Sequence, residues 1–333
     1  MQTLRSRRDF LACASLAGVA SPLGRGESFA QEAPLETTTV RIPTGTLICN
    51  APTYIADELL RAEGFIDIQH VPVTPERAGR PELMEGSGLD FAMAYTPPLV
   101  VALDAGAPVT ALAGVHVGCN SLFAHEGIRS VRDLKGKKVS AGLVPQPLIA
   151  SMAAYVGLDP AKDIEWVSSS FATAKELFVQ HKIDAFLALP PDPQELRARK
   201  IGHVIVDSAR DRPWSQHFCC VLIATKEFVR KYPVATKRVL RAVLKATDFC
   251  ASNPAAVARR LVDGGFTGNY DYALQTLNEV WYNKWREYDA EDSVRFYSLR
   301  LREAGMIKSA PGKIIADGTN WRFLNELKRE LKG

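Results

Sequence analysis

The stretch Asp90 to Gly106, DFAMAYTPPLVVALDAG, narrows the choice of fold more than any other in the chain. Phe91, Ala92 and Met93 make the short apolar run of a strand covered on both faces. Pro97 and Pro98 stop that strand and open a helix, because the first helical turn has unpaired N–H groups and loses nothing to proline. Gly106 supplies the left-handed residue that closes the helix. Tyr95 and Thr96 are left at the strand's carboxyl end, beside the free amides of the next helix, where open α/β sheets bind ligands. A single Thr-Pro is ordinary turn chemistry. Here the design recurs, at Cys49-Asn50-Ala51-Pro52, Val144-Pro145-Gln146 and Leu189-Pro190-Pro191.

Taken in order, the chain alternates strands and helices. Val40 to Ile48 reads as a strand, and Asn50 as the N-cap of a helix bearing Tyr54, Ile55, Leu59 and Leu60 on its apolar face, with Gly64 as its stop. A strand over Ile66 to Val73, a short helix over Pro81 to Glu85, the opening stretch and a strand over Val109 to His116 follow, which is the pattern of a doubly wound sheet. Asn120 to His125 then runs into a Ser130-capped turn and Gly136, a crossing into a second unit. That unit has strands at Val139 to Ala141, Ile164 to Val167, Ile183 to Leu189 and Val204 to Val206, with helices up to Tyr155, over Ala172 to His181 and over Asp192 to Arg199. Phe218 to Ala224 carries the chain back. From Lys226 onward it is helical, with Pro233 and Pro254 opening helices, an aromatic stripe at Leu274, Leu277, Trp281, Trp285 and Tyr288, and a last helix over Trp321 to Leu331. The stripe is expected to be core seam of the first unit. The expected fold is α/β: two doubly wound lobes joined by a two-segment hinge, with lobe 1 from 39–122 and 225–333 and lobe 2 from 123–224.

The first 30 residues stand apart. Ser6-Arg7-Arg8-Asp9-Phe10-Leu11, the apolar run to Leu23 and the small-residue end Ser28-Phe29-Ala30 read as a cleaved twin-arginine export signal, too short in its apolar part to remain as an anchor. Losing four arginines against Asp9 and Glu27 takes the net charge from +4 to about +2, so neither nucleic acid nor membrane insertion is expected of the mature chain. The expected compartment is the oxidising periplasm. Cys49, Cys119, Cys219, Cys220 and Cys250 remain there, an odd and scattered set that is no disulfide framework. If the two crossings run side by side, Cys119 lies near Cys219 or Cys220, where a disulfide would restrain the hinge.

Signatures of catalysis are missing: there is no G-x-G-x-x-G, Walker loop, H-E-x-x-H or G-x-S-x-G, and the six histidines show no metal-ligand spacing. No catalytic residue, metal or cofactor is expected. Two lobes whose strand-end loops face one another make a cleft that closes on a small molecule. Those loops lack lysine and arginine, which suits a small neutral or singly anionic organic solute.

Ala51 to Phe65, Gly88 to Gly106, Val131 to Gly142, Gly157-Leu158-Asp159-Pro160, Ile183-Asp184-Ala185-Phe186 and Phe228 to Pro233 resemble the periplasmic substrate-binding proteins of nitrate/sulfonate/taurine-type ABC importers. The resemblance implies a type II periplasmic binding protein fold, monomeric, with an ABC permease and its ATPase as partners. Carried over position by position, it implies ligand contacts at Asn50, Ala51, Tyr95, Thr96, Asn120, Val144, Gln146, Leu189 and Pro190, with His217 in reach just before the return crossing. Pro145-Gln146-Pro147 stands where that family often has a Gly-Ser-rich anion loop, which speaks against nitrate or a sulfonate. The same resemblance extends to pyrimidine-precursor synthases of thiamine biosynthesis, and a ligand-sensing partner of a receptor would look alike in sequence.

Overall fold

The computed structural model describes residues 32–74, 81, 84, 86–142 and 144–331. The expected export signal lies outside these residues, as does most of the expected helix over 81–85. Strand β1 (Thr39–Thr44) leads through a single helical turn at Ile48–Asn50 into α1 (Ala51–Tyr54) and α2 (Asp57–Ala62). The strand is thus shorter than expected and the helix is split. Asn50 stands before α1, but its side chain caps nothing.

Then come β2 (Asp67–Pro72), β3 (Phe91–Tyr95), α3 (Thr96–Asp104), β4 (Val109–His116) and β5 (Ser121–Ala124). The next stretch holds β6 (Lys138–Ala141), α4 (Pro145–Tyr155), α5 (Pro160–Asp163), β7 (Glu165–Ser168), α6 (Phe171–Val179), β8 (Ala185–Ala188), α7 (Asp192–Arg199) and β9 (His203–Asp207). After β10 (Cys220–Thr225) the chain is helical: α8 (Lys226–Lys231), α9 (Pro233–Ser252), α10 (Pro254–Asp263), α11 (Tyr270–Glu279), α12 (Ala290–Glu303), α13 (Pro311–Gly318) and α14 (Arg322–Glu330).

Two groups of strands result. In the first, β1 and β2 pair in parallel, and β10 lies between β3 and β4, antiparallel to both, with Leu222 opposite Met93 and Ala113. Asp90 joins the two pieces: its N–H donates to the Arg41 carbonyl at 2.9 Å, and its carboxylate accepts from the Arg41 N–H at 2.8 Å and the guanidinium at 2.6 Å. In the second, the order is β7-β6-β8-β5-β9, with β5 antiparallel to both of its neighbours. The five-stranded sheet is therefore mixed, whereas β1-β2 is parallel and β3-β10-β4 antiparallel. The strands that follow the two crossings between the groups, β5 and β10, are the ones that run antiparallel to their neighbours.

Asp133, one turn after β5, accepts from the N–H groups of Arg129 and Ser130 and from the Ser130 hydroxyl, which closes the short turn at Val131–Leu134. The aromatic stripe of the carboxyl half is not one helix. It breaks after Glu279, where Trp281 exchanges backbone hydrogen bonds with Val117 at 2.9 and 3.1 Å. Trp285 is buried in the first core as expected, whereas Trp281 is 36% exposed. The carboxyl helices also do more than complete the first unit. Val294, Tyr297 and Leu301 of α12 and Ile314 of α13 share a core with Leu122, Val139, Ile149 and Leu187 of the second sheet and with Val100 of α3.

Candidate functional site

The tips of the two strand groups meet. Val144, just before α4, and Leu189, just after β8, lie in the same hydrophobic cluster as Ala51, Tyr95, Cys49 and Cys119 from the first group. Pro190 lines a cavity of roughly 280 Å³ between the groups, together with Cys119, Ser121, Gln194, Thr276 and Glu279. Gln146 is half-buried in the first turn of α4, and its N–H donates to the Gly142 carbonyl. Across the same gap Arg197 and Gln194 of α7 donate to Glu279 of α11 at 2.6 to 2.8 Å.

Several expected contacts have their polar atoms in use. The Thr96 hydroxyl donates to the Phe218 carbonyl at 2.7 Å, and its N–H donates to the Cys219 carbonyl, so α3 starts by gripping the return crossing. Asn120 donates through Nδ2 to the Cys219 sulfur at 2.9 Å, and its N–H donates to the Ser208 hydroxyl; its Oδ1 is buried and has no hydrogen-bond partner among the described residues. His217 packs against the carboxyl helices. Its ring stacks on Phe296 of α12 at 3.9 Å, and burial lowers its pKa to about 4, so it is neutral at neutral pH.

A larger cavity of about 670 Å³, partly open to solvent, lies in the first strand group. Asn50 lines it with Thr44, Tyr54, Met84, Ser87 and Met93. Of the expected contacts only Asn50 is among its walls. The others went unread because they come from the end of β1, from α1, from the segment before β3 and from the face of β3, not from a strand-to-proline junction.

Beneath the tips the two crossings bring together His116, Cys119, Cys219 and Cys220, all buried. The Cys119 and Cys219 sulfurs are 2.9 Å apart as free thiols, and those of Cys219 and Cys220 are 3.8 Å apart. Cys49 borders the group, with its sulfur 3.9 Å from the Tyr95 hydroxyl and its carbonyl accepting from the Tyr282 hydroxyl at 3.1 Å. Burial opposes a thiolate at Cys219, yet its neighbours Cys119 and Cys220 and the His116 ring together bring its pKa below the ordinary thiol value. Burial raises Cys119 and Tyr95. No lysine or arginine is among the buried polar residues described; Asp90 and His116 are the only titratable acid and base there.

Residues 52–257 match the NMT1/THI5-like protein family. Proteins of Brucella abortus and Brucella suis that are named as binding proteins are 29% identical over 175 residues, which is 51% of this chain and 53% of theirs. The chain therefore spans about half the length of the curated relatives it matches. The nitrate-binding protein NrtA of Synechocystis superposes with a TM-score of 0.73 at 16% identity, covering 90% of each chain. The alkanesulfonate-binding protein SsuA of Xanthomonas axonopodis, bound to MOPS, gives 0.68 at 16% identity, covering 86% of this chain and 99% of that one. These likenesses show the periplasmic binding protein fold. With well over half of its length matched, the chain is a member of the NMT1/THI5-like family.

Proposed function

We infer that the protein is the periplasmic solute-binding component of an ABC importer, which captures one small organic solute between lobes formed by 39–122 with 225–333 and by 123–224. The observation that carries this reading is the meeting of Ala51 and Tyr95 with Val144 and Leu189 in one cluster, across two groups of strands joined by paired crossings. Asn50, Ala51, Tyr95, Thr96, Asn120, Val144, Gln146, Leu189 and Pro190 surround the ligand, with His217 in reach just before the return crossing. The buried shell has polar groups without lysine or arginine, so the solute is neutral or carries a single negative charge. The fold shared with NrtA and SsuA supports the transport role, and family membership supports binding of an organic molecule. A monomer delivers its ligand to a membrane permease driven by an ATPase, after export by the twin-arginine route, and no bond in the solute is made or broken.

The test is thermal unfolding of the mature protein against neutral amides, pyrimidines, small monocarboxylates, sulfonates and nitrate. Ligand binding to the folded state raises the midpoint with the logarithm of ligand concentration once it exceeds Kd. A rise with neutral or monocarboxylate solutes, unchanged in composition after incubation, supports the reading. A rise with nitrate or sulfonates alone refutes the ligand class, and chemical turnover of any bound solute refutes the transport role.

A further inference from the structure

We propose that Cys119, Cys219, Cys220 and the free ring nitrogen of His116 bind one Zn²⁺ ion at the junction of the two crossings. The three sulfurs and a ring nitrogen of His116 all lie within 4.8 Å of one another. Three thiolates and an imidazole form the donor set of closed tetrahedral zinc sites, and soft sulfur ligands select against magnesium and calcium.

The histidine is the observation that separates this group from a chance gathering of small apolar residues. His116 is fully buried, its Nδ1 lies 3.0 Å from the Gly118 carbonyl, and its Nε2 has no hydrogen-bond partner among the described residues. A buried nitrogen without a partner is costly. With the proton on Nδ1 donated to Gly118, the lone pair of Nε2 is left for a metal, the arrangement in which a backbone carbonyl fixes the tautomer of a zinc-bound histidine. The Tyr282 ring packs edge-on against the imidazole at 5.4 Å and fixes its plane.

The sulfur geometry agrees. Tetrahedral bonds of about 2.3 Å put two zinc-bound sulfurs roughly 3.8 Å apart. Cys219 and Cys220 already stand at 3.8 Å, and Cys119 needs to move away from Cys219 by about an ångström from its present 2.9 Å. Asn120 Nδ2 donates to the Cys219 sulfur, the outer contact that a buried thiolate requires. Three thiols lose their protons to solvent as three sulfur–zinc bonds form, with no change in oxidation state. Because Cys119 sits on one crossing and Cys219 and Cys220 on the other, the ion ties the two together.

The experiment uses the full chain, reduced and stripped of metal under anaerobic conditions, titrated with Co²⁺ and then Zn²⁺. One equivalent of Co²⁺ should give sulfur-to-metal charge transfer and the strong visible bands of a tetrahedral centre, and Zn²⁺ should bleach them. Cys250→Ser, in α9 and outside the cluster, keeps the full signal. Asn120→Ala weakens uptake by about ten- to a hundredfold. In the unmodified protein, bound Zn²⁺ should protect Cys119, Cys219 and Cys220 from alkylation, a readout that needs no variant to fold. Failure of the folded, reduced protein to take up Co²⁺ or Zn²⁺ would overturn the proposal. So would uptake of Cu⁺ alone, or formation of a Cys119–Cys219 disulfide in air by the zinc-loaded protein. Because no solute is present, none of these results bears on ligand capture.

Discussion

The guanidinium of Arg197 donates from one nitrogen to both carboxylate oxygens of Glu279, at 2.6 and 2.8 Å, and so links α7 of the second strand group to α11 of the first. Gln194 adds a third bond to the same carboxylate at 2.8 Å. The Arg197 and Glu279 side chains are 37% and 34% exposed, so the pair contributes no more than about 1 kcal/mol. That is still a roughly fivefold factor in any equilibrium that parts α7 from α11. Glu279→Ala should enlarge the radius of gyration measured by small-angle X-ray scattering, and added salt should do the same to the unmodified protein. An unchanged radius in both would mean that the latch does not hold the gap shut.

Thr96 offers a second measurement. Its buried hydroxyl bonds the Phe218 carbonyl, so Thr96→Val leaves that acceptor without its donor while keeping the volume. The expected loss is about 1–3 kcal/mol in urea unfolding. A loss near zero would return the hydroxyl to the pool of groups free to meet a ligand.

Gly118 tests how closely the crossings lie. Its φ is +72°, and a Cβ there would stand 2.4 Å from that of Ala209 on the other crossing. Gly118→Ala should therefore destabilise by about 1–3 kcal/mol, whereas Gly127→Ala, also left-handed but with open space around it, should show the smaller backbone cost alone. Equal losses at the two sites would show that packing between the crossings is slack.

Asp104 ties the end of α3 to the segment before α13, accepting from the N–H groups of Lys308 and Ser309 at 3.0 and 2.9 Å. Burial works to raise its pKa, but the bonds from Ser309 and Lys308 win and lower it. A carboxyl with a lowered folded-state pKa stabilises fully above its unfolded value of about 3.9, and that contribution is lost as pH falls from there through the lower folded-state value. Asp104→Asn should cost about 0.5–1 kcal/mol at neutral pH, since the site is largely solvated, and progressively less as acid takes the pH below the folded-state value. Urea midpoints of both proteins across that range give the answer; a gap that persists in acid would contradict it.

Local grammar was legible where it was self-contained. The Pro97-Pro98 opening of α3, the Ser130 turn and the full span of α7 follow from turn and cap chemistry that neighbouring residues supply. The Trp281 to Tyr288 stripe misled because its spacing fits a helix, while Trp281 is held extended by Val117, a partner distant in the chain. The nearness of Cys119 to Cys219 was readable only through the idea of paired crossings, and the place of His116 beside them was not, since nothing in its spacing marks it. The 670 Å³ cavity was hidden for a related reason: its walls are gathered from β1, α1, the end of β2, the segment before β3 and β3 itself, which no local spacing links.

The position of β10 between β3 and β4 fixes the order in which the molecule can be finished. Its residues, Cys220–Thr225, leave the ribosome only after every strand of the second sheet has emerged. The portion made first must wait with a vacant lane at its middle, its apolar flanks unshielded, while the strands of the second sheet can pair among themselves before Val294, Tyr297, Leu301 and Ile314 arrive to complete their core. Folding intermediates should thus be orderly in the interior of the chain and unfinished at its beginning, and a chaperone would find its grip on β3 and β4.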